Sequence, residues 1–303
     1  MKRILLVAAI ALPVVQGCSP RAAATKVVAN ALSSGSSGSV YAEDDDPELV
    51  RSAVPFGLKM MEALLLEHPD HEGLLTSLAS GFTQFSYGFV QGDADEAELA
   101  GKTGQAHAAR ARAKDLYLRA RDYGLRGLEQ RHQGIAATLR GVRDLEPVLA
   151  GLTADDVPLV YWTAASWALA IAAGKDDMAL VAELPVPGAL MTRALALDEA
   201  WGEGAIHEFF VSWDAAQGTE AGFARAKQHL DRALALSRGK KLGVLVSYAE
   251  SVSVPRQDRA EFHRLLQQVV SADVAADRAH RLANVLAQRR AKFLLAHAED
   301  LFA

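Results

Sequence analysis

The chain has 303 residues, half of them hydrophobic and only 7% aromatic, with a formal net charge of −5. Such a length holds one large domain or two ordinary ones, and its wealth of Ala and Leu favours a large helical core. A weakly acidic chain without a basic block argues against nucleic acid as a partner. The single cysteine, Cys18, excludes an internal disulfide.

Lys2 and Arg3 precede an apolar run, Ile4 to Val15, of twelve residues. A transmembrane helix needs roughly 20 residues, so this run fits the h-region of a secretory signal over 1–17. It ends in VQGC, with Val15 at −3, Gly17 at −1 and then Cys18. The pattern resembles a bacterial lipobox, in which the cysteine sulfur takes a diacylglyceryl thioether and cleavage frees an amino group for a further acyl chain. Two or three chains anchor stably where one is marginal. Cys18 is thus the expected lipidation site. Loss of Lys2 and Arg3 would take the charge to near −7 (−5 minus two positives). Residues 18–41 read as a lipidated flexible tether, since Ser33–Ser39 contains only Ser and Gly. Ser19, in place of Asp, points to the outer membrane of a two-membrane cell, with the body in the periplasm.

The body, 42–303, reads as one all-α domain of about fourteen helices. Asp46 suits an N-cap, Pro47 the first helical position and Glu48 the first turn, and apolar residues then recur at helical spacing to Leu65. Asp70 can cap a second helix over 71–90. A polar loop, QGDADEAELAGKTGQ, is expected over 91–105, then a helix over 106–133 and an apolar run over 135–149 interrupted by Pro147. Val157–Ala173 holds seventeen residues without a charge. It is short for a membrane span and bracketed by Thr153, Asp156 and Gly174, so it reads as the central helix of a large helical protein. RALALDEAWGEGAIHEFF from Arg193 and RALALSRGKKLGVLVSYAE from Arg232 resemble each other at an offset of 39 residues, and EALLLEHPDHEG from Glu62 has the same shape. Each reads as helix, turn, helix, near the tetratricopeptide (TPR) period of about 34. The stretch from Asp277 to the end reads as one long amphipathic helix. Its basic residues Arg278, Arg281, Arg289, Arg290 and Lys292 suit a solvated or subunit-facing surface. No segment alternates with period two.

The lipobox, the Gly/Ser run, YAEDDDPELVRSAVPFGLKMMEALLLEHPDHEGLLTSLASGFTQFSYGFV, VYWTAASWALAIAA and LALDEAWGEGAIHEFF together resemble the T component (TatT family) of tetratricopeptide-repeat-associated TRAP transporters. The resemblance spans about 42–303. It implies an all-helical, TPR-like solenoid closed around a central helix, in a periplasmic lipoprotein that is not itself the permease. It also implies a solute-binding P component as partner, a homo-oligomer, trimers in particular, and a pore through the protomer. A small apolar or organic-acid ligand would be bound or handed over there.

Three aromatic clusters are candidates for the pore wall, each set against ordinary core packing. SGFTQFSYGFV supplies Phe82, Phe85, Tyr87 and Phe89. VYWTAASWALA supplies Tyr161, Trp162 and Trp167. DEAWGEGAIHEFFVSW supplies Trp201, His207 and Trp213. HEFFV lacks the second His of a zinc-protease motif, and His68, His71 and Glu72 in HPDHE read as a solvated turn, so no metal site is expected. No nucleophile elbow, phosphate loop or paired-carboxylate frame is present, and no enzymatic activity or cofactor is expected. The main alternative is a TPR-type scaffold lipoprotein for envelope assembly.

Overall fold

The computed structural model describes residues 20–33 and 40–302; Cys18, the signal segment and the rest of the Ser/Gly run lie outside them. Among the described residues all regular structure is helical. The order is α1 Pro20–Ser33, α2 Pro47–Glu67, α3 Glu72–Phe85, a π turn Ser86–Gln91, α4 Gly92–Leu99, α5 Thr103–Arg131, α6 Ile135–Gly141, α7 Leu145–Ala150 and α8 Val157–Ala173. Then follow α9 Met178–Val181, α10 Pro185–Leu197, α11 Trp201–Ala215, α12 Glu220–Ser237 and α13 Gly243–Tyr248. A second π turn Ala249–Ser253, α14 Arg259–Ser271, α15 Arg281–Ala296 and α16 Ala298–Leu301 complete the chain.

Local chemistry explains most starts. Asp46 accepts from the amides of Glu48 and Leu49, each at 3.0 Å, with Pro47 as the first helical residue. Asp156 accepts from the amide and the hydroxyl of Thr153 at 2.8 and 3.0 Å, the capping box that opens α8. The three stretches at Glu62, Arg193 and Arg232 each form a helix end, a turn and a second helix.

Five expectations are corrected. Pro20–Ser33, placed in the tether, is a helix docked on the body, with Ala29 fully buried and Asn30 hydrogen-bonded to His71 at 2.9 Å; its Ala/Val composition outweighs its nearness to the Ser/Gly run. The cap of α3 is His71, whose Nδ1 accepts from the Leu74 amide, and not Asp70, which accepts from Gln130. Most of the expected 91–105 loop is helical, because Asp93, Glu98 and Asp95 are held by Arg51, Arg110 and Arg290. The 135–149 run breaks at Val142 and Asp144, both left-handed (φ 51° and 50°), ahead of Pro147. The last helix breaks at His297, and four of its basic residues pair with acids, Arg278 with Glu43, Arg281 with Asp45, Arg289 with Glu48, Arg290 with Asp95 and Glu250, with Arg278 and Arg289 staying largely solvated as expected.

Two apolar cores result. The first runs from Ala29 to Phe210 and has α8 at its centre, packed on α5, α10, α3 and α11. A Cβ on Gly124 would stand 2.1 Å from Thr163 Oγ1 and 3.2 Å from Thr163 Cα, so only glycine lets α5 approach α8 so closely. The stretch Ala154–Ala173, which contains α8, is long and apolar enough to cross a membrane; here Val157, Val160, Ala164, Trp167 and Ala170 are completely buried against other helices. The second core runs from Val211 to Phe302. Helix α11 belongs to both, with Ile206 and Phe210 in the first and Val211 and Ala215 in the second.

Candidate functional site

The site lies where the two cores face each other. Each core contributes one π turn, a helical irregularity that recurs at functional positions. The first carries Tyr87. Its neighbours Phe85, Ser86, Phe89 and Val90 are buried, whereas Tyr87 keeps 53% of its surface open. Burial nevertheless pushes its phenol above the ordinary value, with Glu250 adding to the rise and the Ser247 side chain and Arg290 opposing it. Tyr87 is thus open to solvent and stands beside Glu250, Arg290 and Asp95, the groups that border the hollow. Its phenol lies near Ser247 of α13, across the boundary between the cores.

Around Tyr87 stand groups from both halves. Arg290 on α15 bridges Glu250 of the second π turn (2.5 Å) and Asp95 of α4 (3.1 Å). Its Nη1 is buried without a protein partner. These three residues border a cleft of about 270 Å³ together with Glu98, Leu99 and Leu294. Burial raises the Asp95 carboxyl, Glu250 raises it further and Arg290 opposes. Tyr117, fully buried, donates to Gln91 at 2.7 Å, and burial, then Tyr87 and Asp95, hold its phenol well up.

Tyr161 lies within electrostatic reach of Tyr87; burial raises its phenol first and Glu208 second. Glu208 pairs with Lys241, and burial holds its carboxyl above the ordinary value despite that lysine. Backbone geometry puts Glu208 here. Gly202, Glu203 and Gly204 are all left-handed (φ 57°, 54° and 88°) and kink the start of α11. A Cβ on Gly204 would meet Ala233 Cα at 3.2 Å. The strain at Glu203, a non-glycine in this region, is held by His280 at 3.4 Å, and Lys241 donates to the Gly202 carbonyl at 3.0 Å.

The sequence-derived candidates divide. Tyr87 stands in the hollow. Tyr161 is half-buried and forms an aromatic trio with Trp162 (4.9 Å) and Trp201 (4.5 Å). Phe82, Phe85 and Phe89 are core residues: Phe82 stacks on Tyr123 under Arg119, and Phe85 meets Phe89 at 5.7 Å. Trp167 has no surface open to solvent, so it lines no open space; its Nε1 donates to Glu183 at 2.7 Å with Arg121 over its ring. Trp213 stacks on Phe209 and covers Gly188. His207 is buried and engaged with His229 and Glu199. His68 and His71 each hydrogen-bond to α1, at Thr25 (2.8 Å) and Asn30 (2.9 Å).

Asp95, Tyr117, Glu208, Lys241, Ser247, Glu250 and Arg290 were not among the candidates. A usable signal was Ser-Tyr, which opens both Ser86–Gln91 and the Ser247–Ser253 stretch. Among the described residues no group of three or more His, Cys, Asp and Glu could hold a metal ion.

An all-helical body in which two apolar cores face each other across a charged, tyrosine-bearing hollow belongs, as a class, with multi-helix proteins that have an interior polar site. Comparison with known proteins makes this specific. The family model for the TRAP transporter T-component matches residues 43–302, and the chain belongs to that family. An uncharacterized protein of Treponema pallidum (strain Nichols) is 28% identical to it over 272 residues, covering 87% of this chain and 82% of the relative.

Proposed function

We propose that this T component is a periplasmic lipoprotein, held to the outer membrane through Cys18, that binds the solute-binding P component of a TRAP transporter and hands over a small ligand through the hollow between its cores. Family membership supports the association with a transporter. The observation that carries the ligand path is Tyr87, half open to solvent yet surrounded by groups of both cores. Arg290 is the group to hold the carboxylate of an organic acid, since its Nη1 has no protein partner; Tyr161, Trp162 and Trp201 would take an apolar portion. The repeated helix–turn–helix shape supports TPR-like stacking, which presents extended surfaces to protein partners. Leu49, Phe56 and Met60 are exposed on one face of α2, spaced as a helical stripe, and support self-association into the expected trimer. The role is one of binding and conduction, without catalysis or a cofactor.

The direct test measures binding of the mature chain to the purified solute-binding protein of the same transporter, with light scattering for the oligomer. Micromolar or tighter affinity and a trimer are expected. A monomer that ignores this partner would move the assignment to an envelope scaffold. Palmitate labelling should vanish in Cys18→Ala while the helical fold stays.

A further inference from the structure

Helix α11, the turn before it and α12 are joined by a chain of charges and imidazoles, buried at His207 and Asp214 and open at Glu199, Arg232 and Arg225. Arg232 grips Glu199 at 2.7 and 2.8 Å, and Glu199 Oε1 lies 3.1 Å from His207 Nε2. His207 Nδ1 lies 2.7 Å from His229 Nδ1, and His229 Nε2 lies 3.6 Å from Asp214 Oδ2. Arg225 and Gln217 hold Asp214 at 3.0 and 3.2 Å. Phe210 stacks on the His229 ring, with centroids 4.9 Å apart. His207 is 5% exposed. The chain sits where α11 passes from the first core at Phe210 to the second at Val211. Glu208 of the hollow is the next residue along.

Counting protons defines its states. Two neutral imidazoles have one N–H each. One of these must span the Nδ1–Nδ1 contact, so only one is left for the two carboxylates. The spacing, 3.1 Å at Glu199 and 3.6 Å at Asp214, fits a proton on the Glu199 side and none facing Asp214. One added proton supplies both carboxylates and completes the chain. A second places N–H against N–H at 2.7 Å, and the contact must open.

We propose that His207 and His229 form a proton-binding latch between α11 and α12: the pair closes with one added proton and opens with two, loosening the joint of the two cores beside Glu208. Burial lowers the affinity of both rings for protons, and Arg232 and Arg225 act in the same direction, while Glu199 and Asp214 oppose. The sign follows. The folded pair resists the second proton, so the stability of the closed latch is present above the ordinary histidine range and lost as the pH falls below it.

The test is a nitrogen NMR titration of the histidine side chains in the mature chain. The two rings should titrate in two linked steps more than about one pH unit apart, and His229→Asn should leave His207 with a single step. Between pH 7 and pH 4.5, amides of α11 and α12 should lose about tenfold of their exchange protection, corrected for intrinsic rates, in the wild type and much less in the variant. Should the variant fail to fold, the wild-type titration alone decides. Two rings titrating independently, or protection that falls equally across both cores, would overturn the latch.

Discussion

The two cores differ in how they handle polar groups. In the first, buried polar atoms close on themselves: Trp167 donates to Glu183, Arg121 pairs with the same carboxylate at 3.2 Å, and Thr163 donates to the Leu159 carbonyl at 2.7 Å. The second is smaller and reaches outward. Asn284 fixes the start of α13 through Leu242 and Lys240, while Arg278, Arg281, Arg289 and Arg290 tie α15 and the turn before it to acids of the N-terminal half. Charge is thus prominent between the cores, although Leu282 and Leu286 of α15 also pack on the first one. A seam made of charges keeps water. That is a physical reason for the cleft bordered by Asp95, Glu250 and Arg290 to lie at this boundary.

The sharpest way to break this comparison is to excavate each core in turn. Trp167→Ala and Phe262→Ala remove fully buried rings, and each should cost roughly 3–5 kcal/mol. Because α11 contributes side chains to both cores, either variant should shift one cooperative urea transition, followed by circular dichroism. Two separated transitions would show that the cores are independent folding units.

Much of the first core was legible in the sequence, and little of the seam. Val50, Leu58 and Leu65 announce themselves by helical spacing and are buried, and the central place of α8 follows from its lack of charge. The caps Asp46 and Asp156 follow from local chemistry that needs no tertiary contact. The seam could not be read this way. Asp95 lies in a stretch whose Gly and Asp residues look like a loop until Arg51, Arg110 and Arg290, distant in sequence, neutralise it. Arg290 looks like any basic residue on an amphipathic helix. Tyr87 was found because it is aromatic, although the same rule also selected Trp167, which belongs wholly to the core. A period reports which face is apolar; it does not report which polar residues of two separate helices will meet.

Arg290 gives the second test, of intermediate size. Arg290→Met would leave Asp95 and Glu250 facing each other without their bridge. For a partly buried pair losing one partner, a cost of about 1–3 kcal/mol is expected near pH 7. The pH dependence has a definite sign. Burial and Glu250 already raise the Asp95 carboxyl, with Arg290 holding it down. Without the arginine it rises further. A carboxyl raised by folding opposes stability above its unfolded value, and the penalty fades as the pH falls through its raised folded value. The deficit of the variant should therefore shrink on acidification. A pH-independent deficit would mean that Arg290 acts by packing alone.

The smallest effect is expected at Tyr87, and for that reason it is the most discriminating. Tyr87→Phe removes the hydroxyl that lies near Ser247 across the seam. In a dry core, the loss would strand a partner. Here 53% of the residue is open to solvent, so water can replace the missing group, and stability should change by at most about 1 kcal/mol. The change that matters should appear in the seam itself. With its hydroxyl gone, the first π turn loses a polar group beside α13, and exchange of the Ser247–Ser253 amides should quicken while those of α8 stay unchanged. A large loss of stability would instead place Tyr87 in the first core, and the hollow would lose the residue that defines it.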